Sequence, residues 1–222
     1  MIVEVCANGF ESAFVAQRAG AHRIELCSQL SVGGITPSRQ EIKKVLSSID
    51  LPVHVLIRPR AGNFCYTEKE THHLLEEIQF CKELGVSGIV SGALTSEKEV
   101  DIPVTKQLLL AAEGMNFTFH RAFDEVPFPK QAMETLVQLG VDRILTSGQQ
   151  NTAVKGLALL KELAKVAANR IEIMPGAGIG SQNVSVFKTA GFPSIHFSAT
   201  MGKPDAVSDE DEIRKVVQLI QS

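Results

Sequence analysis

Short β-rich runs alternate with amphipathic helical runs eight times along this chain of 222 residues, and no other feature constrains the fold as strongly. The strand-like runs are Ile2–Ala7, Arg23–Ser28, Val53–Pro59, Gly88–Leu94, Asn116–Phe123, Arg143–Gly148, Ile171–Pro175 and Ser194–Ala199. Helical runs follow them over Glu11–Ala19, Ser38–Ile49, from Thr67 onward, Ile102–Glu113, Pro129–Leu139, Val154–Ala168, from about Ser181, and Asp209–Ile220. Thr67 and Glu70 form a capping-box pair, which satisfies free backbone donors where a helix starts. Glycine closes four helices, in Ala19-Gly20, Leu84-Gly85, Leu139-Gly140 and Ala190-Gly191, where a helix end needs the left-handed conformation. The period is roughly 28 residues, which a leucine-rich solenoid shares, but the leucine ladder of that repeat is absent. A single-domain (β/α)8 barrel with short loops is the expected fold, and a doubly wound open sheet is the alternative.

Composition removes several functional classes. The net charge of −3 lacks the basic excess of a nucleic-acid binder, and one Tyr with no Trp leaves few stacking platforms. No apolar run reaches the ~18 residues that span a bilayer, and the chain starts directly in a strand without a basic leader. Four scattered cysteines, Cys6, Cys27, Cys65 and Cys81, do not make a disulfide framework, so a reduced cytoplasmic setting is expected.

In a barrel of this type the chemistry gathers where the strands end. The fifth strand delivers His120, Arg121 and Asp124 after the apolar stretch Phe117-Thr118-Phe119, the composition of a strand whose polar end meets a ligand. A strand alternates faces every residue, so Glu4 and Cys6 share a face, as do Glu25 and Cys27. The helix side must be apolar, so these four point into the barrel, and buried glutamates need partners. Arg58 and Arg60 at the end of the third strand are the expected partners or anion holders, since the guanidinium fork suits carboxylate and phosphate. The loop Gly62–Tyr66 could cover the site.

The sixth strand ends in Thr146-Ser147-Gly148, and the seventh leads into Pro175-Gly176-Ala177-Gly178, a turn of the kind that cradles phosphate in barrels. His196 and Ser198 end the eighth strand facing the mouth. His54 lies nearer the opposite end, His72 and His73 read as solvated helix residues, and Cys81 as core. No CxxC or HExxH spacing announces zinc. Cys6 and Cys27 from adjacent strands would be a pair of soft thiolates suited to Cu(I), or else two small buried apolar side chains.

Several of these segments together resemble the CutC family of copper homeostasis proteins: Glu4-Val-Cys6, Arg23-Ile-Glu-Leu-Cys27, Gly33-Gly-Ile-Thr-Pro-Ser38, Ile57-Arg-Pro-Arg60, Phe119-His-Arg-Ala-Phe-Asp124, Leu145-Thr-Ser-Gly148 and Met174-Pro-Gly-Ala-Gly178. The resemblance implies a cytoplasmic, often oligomeric (β/α)8 barrel, with copper at cysteines matching Cys6 and Cys27. His22 stands where the family usually carries Asp, and beyond Gly202 the resemblance is not followed. Two expectations result. One is Cu(I) handling by a homo-oligomer. The other is an enzyme for a small anionic metabolite, with phosphorylated compounds among the candidates. In that enzyme Glu25, His120 and Asp124 act on the ligand, while Glu4, Arg58, Arg60, Arg121, Ser147, Gly148, Gly176, Gly178, His196 and Ser198 hold it.

Overall fold

A computed structural model describes residues 1–221. Eight strands alternate with eight helices along the chain: β1 (Ile2–Asn8), α1 (Phe10–Arg18), β2 (Arg23–Cys27), α2 (Arg39–Leu46), β3 (Val53–Leu56), α3 (Glu68–Glu83), β4 (Gly88–Ser91) and α4 (Ile102–Ala111) come first. They are followed by β5 (Asn116–Phe119), α5 (Pro129–Leu139), β6 (Arg143–Thr146), α6 (Leu157–Ala167), β7 (Glu172–Pro175), α7 (Val184–Thr189), β8 (Ser194–Phe197) and α8 (Glu210–Gln221). All neighbouring strands are parallel, in the order β7-β6-β5-β4-β3-β2-β1-β8. A single bridge between Gly176 and His196 brings the two ends of the sheet together. This is the expected (β/α)8 barrel, not the open sheet.

Register explains which side chains face inward. Glu4 pairs with Arg23 and His196, Cys6 with Glu25, and Thr118 with Arg143. The alternate positions, among them Val3, Val5, Ile24, Leu26, Val55, Ile89, Phe117, Phe119, Ile144 and Ile195, are fully or almost fully buried in the main hydrophobic core. Fully burying one such side chain stabilises the fold by about 1.5–3 kcal/mol.

The lower barrel interior is ionic. Glu4 accepts from Arg23 and Glu172 accepts from Ser194. Arg143 pairs with Glu172 at 3.0 Å and donates to Thr118 Oγ1 at 3.0 Å. His54 stands 3.7 Å from Glu4, and burial pushes its pKa down to about 4. Its ring occupies the space beside Gly88, where a Cβ would come within 2.6 Å. The sequence reading puts His54 toward the opposite end and Glu4 at the mouth; in the structure both belong to this layer, and neither lines the mouth cavity.

Helix starts follow the sequence signals. Ser38 and Asp101 cap α2 and α4, and Thr67 with Glu70 forms the full capping box of α3. Several strands end earlier than their sequence runs suggest. The ladder at β5 stops because His120 caps a short 3-10 helix over Arg121–Glu125, its Nδ1 accepting from the Ala122 amide at 3.3 Å. No helix among the described residues is long and apolar enough to cross a membrane.

Candidate functional site

A cavity of about 850 Å³ opens at the C-terminal ends of the strands. Cys6, Glu25 and His196 line it from β1, β2 and β8, and His120, Arg121 and Asp124 from the segment after β5. Arg58 and Phe64 come from the β3–α3 connection, and the turns after β7 and β8 complete the wall.

On the β1–β2 side, one ligand atom each from Cys6, Glu25 and His196 lies within 4.8 Å of the others, all three residues buried. Cys27 lies behind Cys6, with the two sulfurs 3.6 Å apart, and is fully buried. Cys6 Sγ is 3.5 Å from Glu25 Oε1. His196 Nδ1 is 2.8 Å from Glu4 Oε1 and 3.8 Å from Glu25 Oε2. With Nδ1 held by Glu4, the ring's Nε2 is the nitrogen left to meet a ligand.

The charges in this cluster are unevenly settled. Burial opposes a charge on His196, but Glu25, Cys6 and Glu4 override it and hold the ring's pKa well above the usual histidine value. Burial also works upward on Glu4, yet the His196 hydrogen bond and Arg23 bring it below the carboxylate range. Glu25 keeps a raised pKa, from burial and, with His196 opposing, from the Glu4 charge nearby. The Cys6 thiol is pushed well above its usual value by its contact with Cys27 and by burial.

The β5–β6 side is built differently. Asp124 accepts from Arg121 Nε at 2.8 Å, Thr146 Oγ1 at 2.5 Å, Ser147 N at 3.0 Å, Ser147 Oγ at 2.9 Å and Gln149 N at 3.2 Å. A carboxylate so fully engaged ties the segment after β5 to the loop after β6, while Asp124 also lines the cavity. Gln149, whose amide joins this clasp, carried no sequence signal, and Thr146 was expected only as one of the two hydroxyls that end the sixth strand. Arg121 Nη2 reaches Ser147 Oγ at 3.2 Å, and Gly148 N donates to Thr146 Oγ1 at 2.9 Å.

The two arginines after β3 do not pair with the buried glutamates. Arg58 donates to the carbonyl oxygens of Val32, Gly34 and Gly62 at 3.0, 2.8 and 2.9 Å. Arg60 clasps Glu70 and the carbonyl oxygens of Asn63 and Cys65, away from the cavity lining. Arg23 is the partner of Glu4 instead, a residue at the start of β2 that the register alone identifies.

The glycine turn after β7 also departs from expectation. Gly176 has its backbone amide on Thr146 O and stacks its α-carbon beside Leu145 and His196, while Gly178 sits at φ +67° in the cavity wall. Further along, the amides of Gly180 and Ser181 are spent on Asn183 Oδ1 at 3.0 Å and Glu212 Oε1 at 2.6 Å. Ser181 Oγ donates to the other Glu212 oxygen at 2.8 Å. A buried side-chain carboxylate therefore holds the amide of Ser181, three residues beyond Gly178. A Cβ at 180 would lie 2.6 Å from Gln182 Oε1 and 2.7 Å from Glu212 Oε1, so a larger residue there would require both side-chain ends to shift. Glu212 carried no sequence signal beyond its place in the first turn of α8. Ser198 lines the cavity and lies 3.2 Å from Thr200 Oγ1.

Known proteins share this arrangement at several levels. A sequence profile described as the CutC family matches residues 1–201. A family protein CutC of Pasteurella multocida is 48% identical over 199 residues, covering 89% of this chain and 82% of the relative. A solved Streptococcus agalactiae CutC, described provisionally as a copper homeostasis protein, superposes with TM-score 0.84 at 36% identity, covering 89% of this chain and 98% of that one. An aldolase, QR15, shares the fold alone, with TM-score 0.70 at 14% identity over 99% of this chain and 96% of its own. The chain belongs to the CutC family.

Proposed function

We propose that this protein binds Cu(I) as cargo on the floor of its barrel mouth, through the sulfurs of Cys6 and Cys27 with His196 Nε2 beside them. The supporting observation is the pair of buried sulfurs 3.6 Å apart on adjacent strands, with His196 and Glu25 within reach of Cys6. Thiolate sulfur and imidazole nitrogen favour soft Cu(I) over hard cations. Both thiols lie in a pocket with Leu56 and Val90, which keeps water from the sulfurs. Cys6 is the thiol that lines the cavity, so it would meet the metal first and Cys27 would complete the pair. The thiols must lose protons as the metal binds, and Glu25 is placed 3.5 Å from Cys6 to accept one. A homo-oligomeric state and a cytoplasmic location accompany this reading, supported by the family resemblance.

The test is anaerobic Cu(I) titration against a competing chelator, beside the Cys6→Ser/Cys27→Ser double variant. Tight stoichiometric binding lost in the variant is the expected result. Weak binding, or binding indifferent to the two cysteines, would remove copper from the account.

A second reading, an enzyme for a small anionic metabolite, draws on one observation: Glu25 Oε2 is buried without a hydrogen-bond partner in the same cavity. Its raised proton affinity suits a general base. Absence of turnover across small anionic metabolites would dismiss this reading, and turnover that survives Glu25→Gln would remove Glu25 as its base. The phosphorylated version of this reading has less support, because Glu212 takes the Ser181 amide after β7.

A further inference from the structure

The mouth cavity is walled by two side chains that each bury an N–H donor with no hydrogen-bond partner, and the Tyr66 hydroxyl, also without one, lies beside the Arg58 guanidinium. Arg58 spends its Nη atoms on the carbonyl oxygens of Val32, Gly34 and Gly62, which leaves Nε without a partner. His120 accepts the Ala122 amide at Nδ1, so the proton of the neutral ring rests on Nε2, which also has no partner. Burial, helped by the positive charge of Arg58, pushes the His120 pKa down to about 3, so the ring is a neutral donor at ordinary pH.

Both side chains are 5% exposed and both line the cavity. They meet at Phe64, whose ring centre is 4.8 Å from the His120 ring and 4.9 Å from the Arg58 guanidinium carbon. An unsatisfied buried donor costs about 1–3 kcal/mol, and folded proteins keep few of them. Two such donors against one aromatic ring, in the wall of a cavity, fit an oxygen ligand that supplies two acceptors. A planar carboxylate does so, and one of its partners here is cationic.

We propose that Arg58 Nε and His120 Nε2 form a binding site for the carboxylate of a small organic acid, covered by Phe64. The rest of the acid extends over the floor formed by Cys6, Glu25 and His196. Phosphate, whose tetrahedral oxygens do not share one plane, is the contrasting ligand. The site goes beyond copper binding and does not depend on it.

The experiment uses the reduced, metal-free full chain at constant ionic strength. Calorimetric titrations with pyruvate, lactate and inorganic phosphate are paired with ¹⁵N-histidine spectra that follow His120 Nε2. Pyruvate or lactate is expected to bind saturably and to shift the Nε2 signal, with no response to phosphate. His120→Asn can still cap the Ala122 amide through its side-chain oxygen but loses the donor, and should weaken carboxylate binding by about tenfold or more. The proposal is overturned by any of three results: no saturable carboxylate binding, binding that leaves the Nε2 signal unmoved, or a response to phosphate alone. The wild-type spectra decide even if the variant does not fold. With no metal present, failure here leaves the copper reading standing, and failure of copper binding leaves this site standing.

Discussion

The two halves of the barrel begin alike and diverge at the mouth. β2 opens as Ala21-His22-Arg23-Ile24 and β6 as Val141-Asp142-Arg143-Ile144. In each half the arginine pairs in register with an inward residue of the preceding strand, Arg23 with Glu4 and Arg143 with Thr118. The residue before each arginine caps the preceding strand: His22 Nδ1 accepts from Val3 N at 3.1 Å, and Asp142 Oδ2 from Phe117 N at 2.7 Å. Further up, the same frame carries different chemistry. Cys6 corresponds to His120 and Cys27 to Ser147, so one wall presents sulfur and the other hydroxyl and imidazole. The comparison teaches that the lower strand positions hold the barrel together, while the chemistry of the two walls differs further up, at Cys6 and Cys27 on one side and His120 and Ser147 on the other.

The largest effect expected is on the sulfur wall. The Cys6→Ser/Cys27→Ser variant should lose Cu(I) affinity by orders of magnitude in chelator competition, while Ser147→Ala on the other wall should leave it unchanged. Equal losses from both would break the contrast between the walls.

Acid should act through buried neutral rings. His54 and His120 have folded pKa values pushed down to about 4 and about 3, against the ordinary 6.5. For a base depressed in the fold, its stability contribution is complete above pH 6.5 and is lost as pH falls toward the folded value. Each pKa unit corresponds to about 1.4 kcal/mol, so denaturant midpoints should fall steeply from pH 6.5 to pH 4. The His120→Asn variant should show a shallower fall, and an unchanged slope would contradict the buried neutral imidazole.

Asp124→Ala removes the acceptor for five donors around Ser147 and should cost about 3 kcal/mol, because those donors are stranded. That corresponds to a fall of roughly 6–12 °C in Tm. Copper affinity should persist, since the residue stands on the other wall. The smallest effect belongs to His22→Asp, which makes the first half copy the second. Its stability should stay within about 0.5 kcal/mol of the parent, because Asp142 shows that a carboxylate caps the same amide. A larger loss would mean that the two halves are less interchangeable than their register suggests.

The eight units were legible because each strand's outer face must be apolar and each helix needs a start and a stop. Glu4, Cys6, Glu25 and Cys27 were placed inside by alternation alone. The strand ends were not legible. The runs at Asn116–Phe123 and Arg143–Gly148 look continuous in sequence, but His120, Thr146 and Asp124 take the backbone amides that another strand would have used. Pairings across the barrel were also hidden. Arg23 with Glu4 required the register, and His196 with Glu4 required the ring to close between the first and last strands. Arg58 read as a ligand holder because its fork matches anions, but carbonyl oxygens of nearby loops satisfy most of it. Glu212 could not be found at all, since nothing in a helix's first turn tells which distant amide its carboxylate will reach.

The joint between β7 and β8 has a consequence for motion. Every other neighbouring pair of strands shares a ladder of at least two paired positions, but this one is tied by the single contact of Gly176 with His196. Opening the ring there breaks less backbone bonding than opening it anywhere else, so amides along this seam should exchange with deuterium ahead of those in β1 and β2. His196 stands at that seam and also beside Cys6, so whatever binds to its ring acts as a rivet on the loosest edge of the barrel. Occupancy of that ring and closure of the barrel then become two readings of one equilibrium.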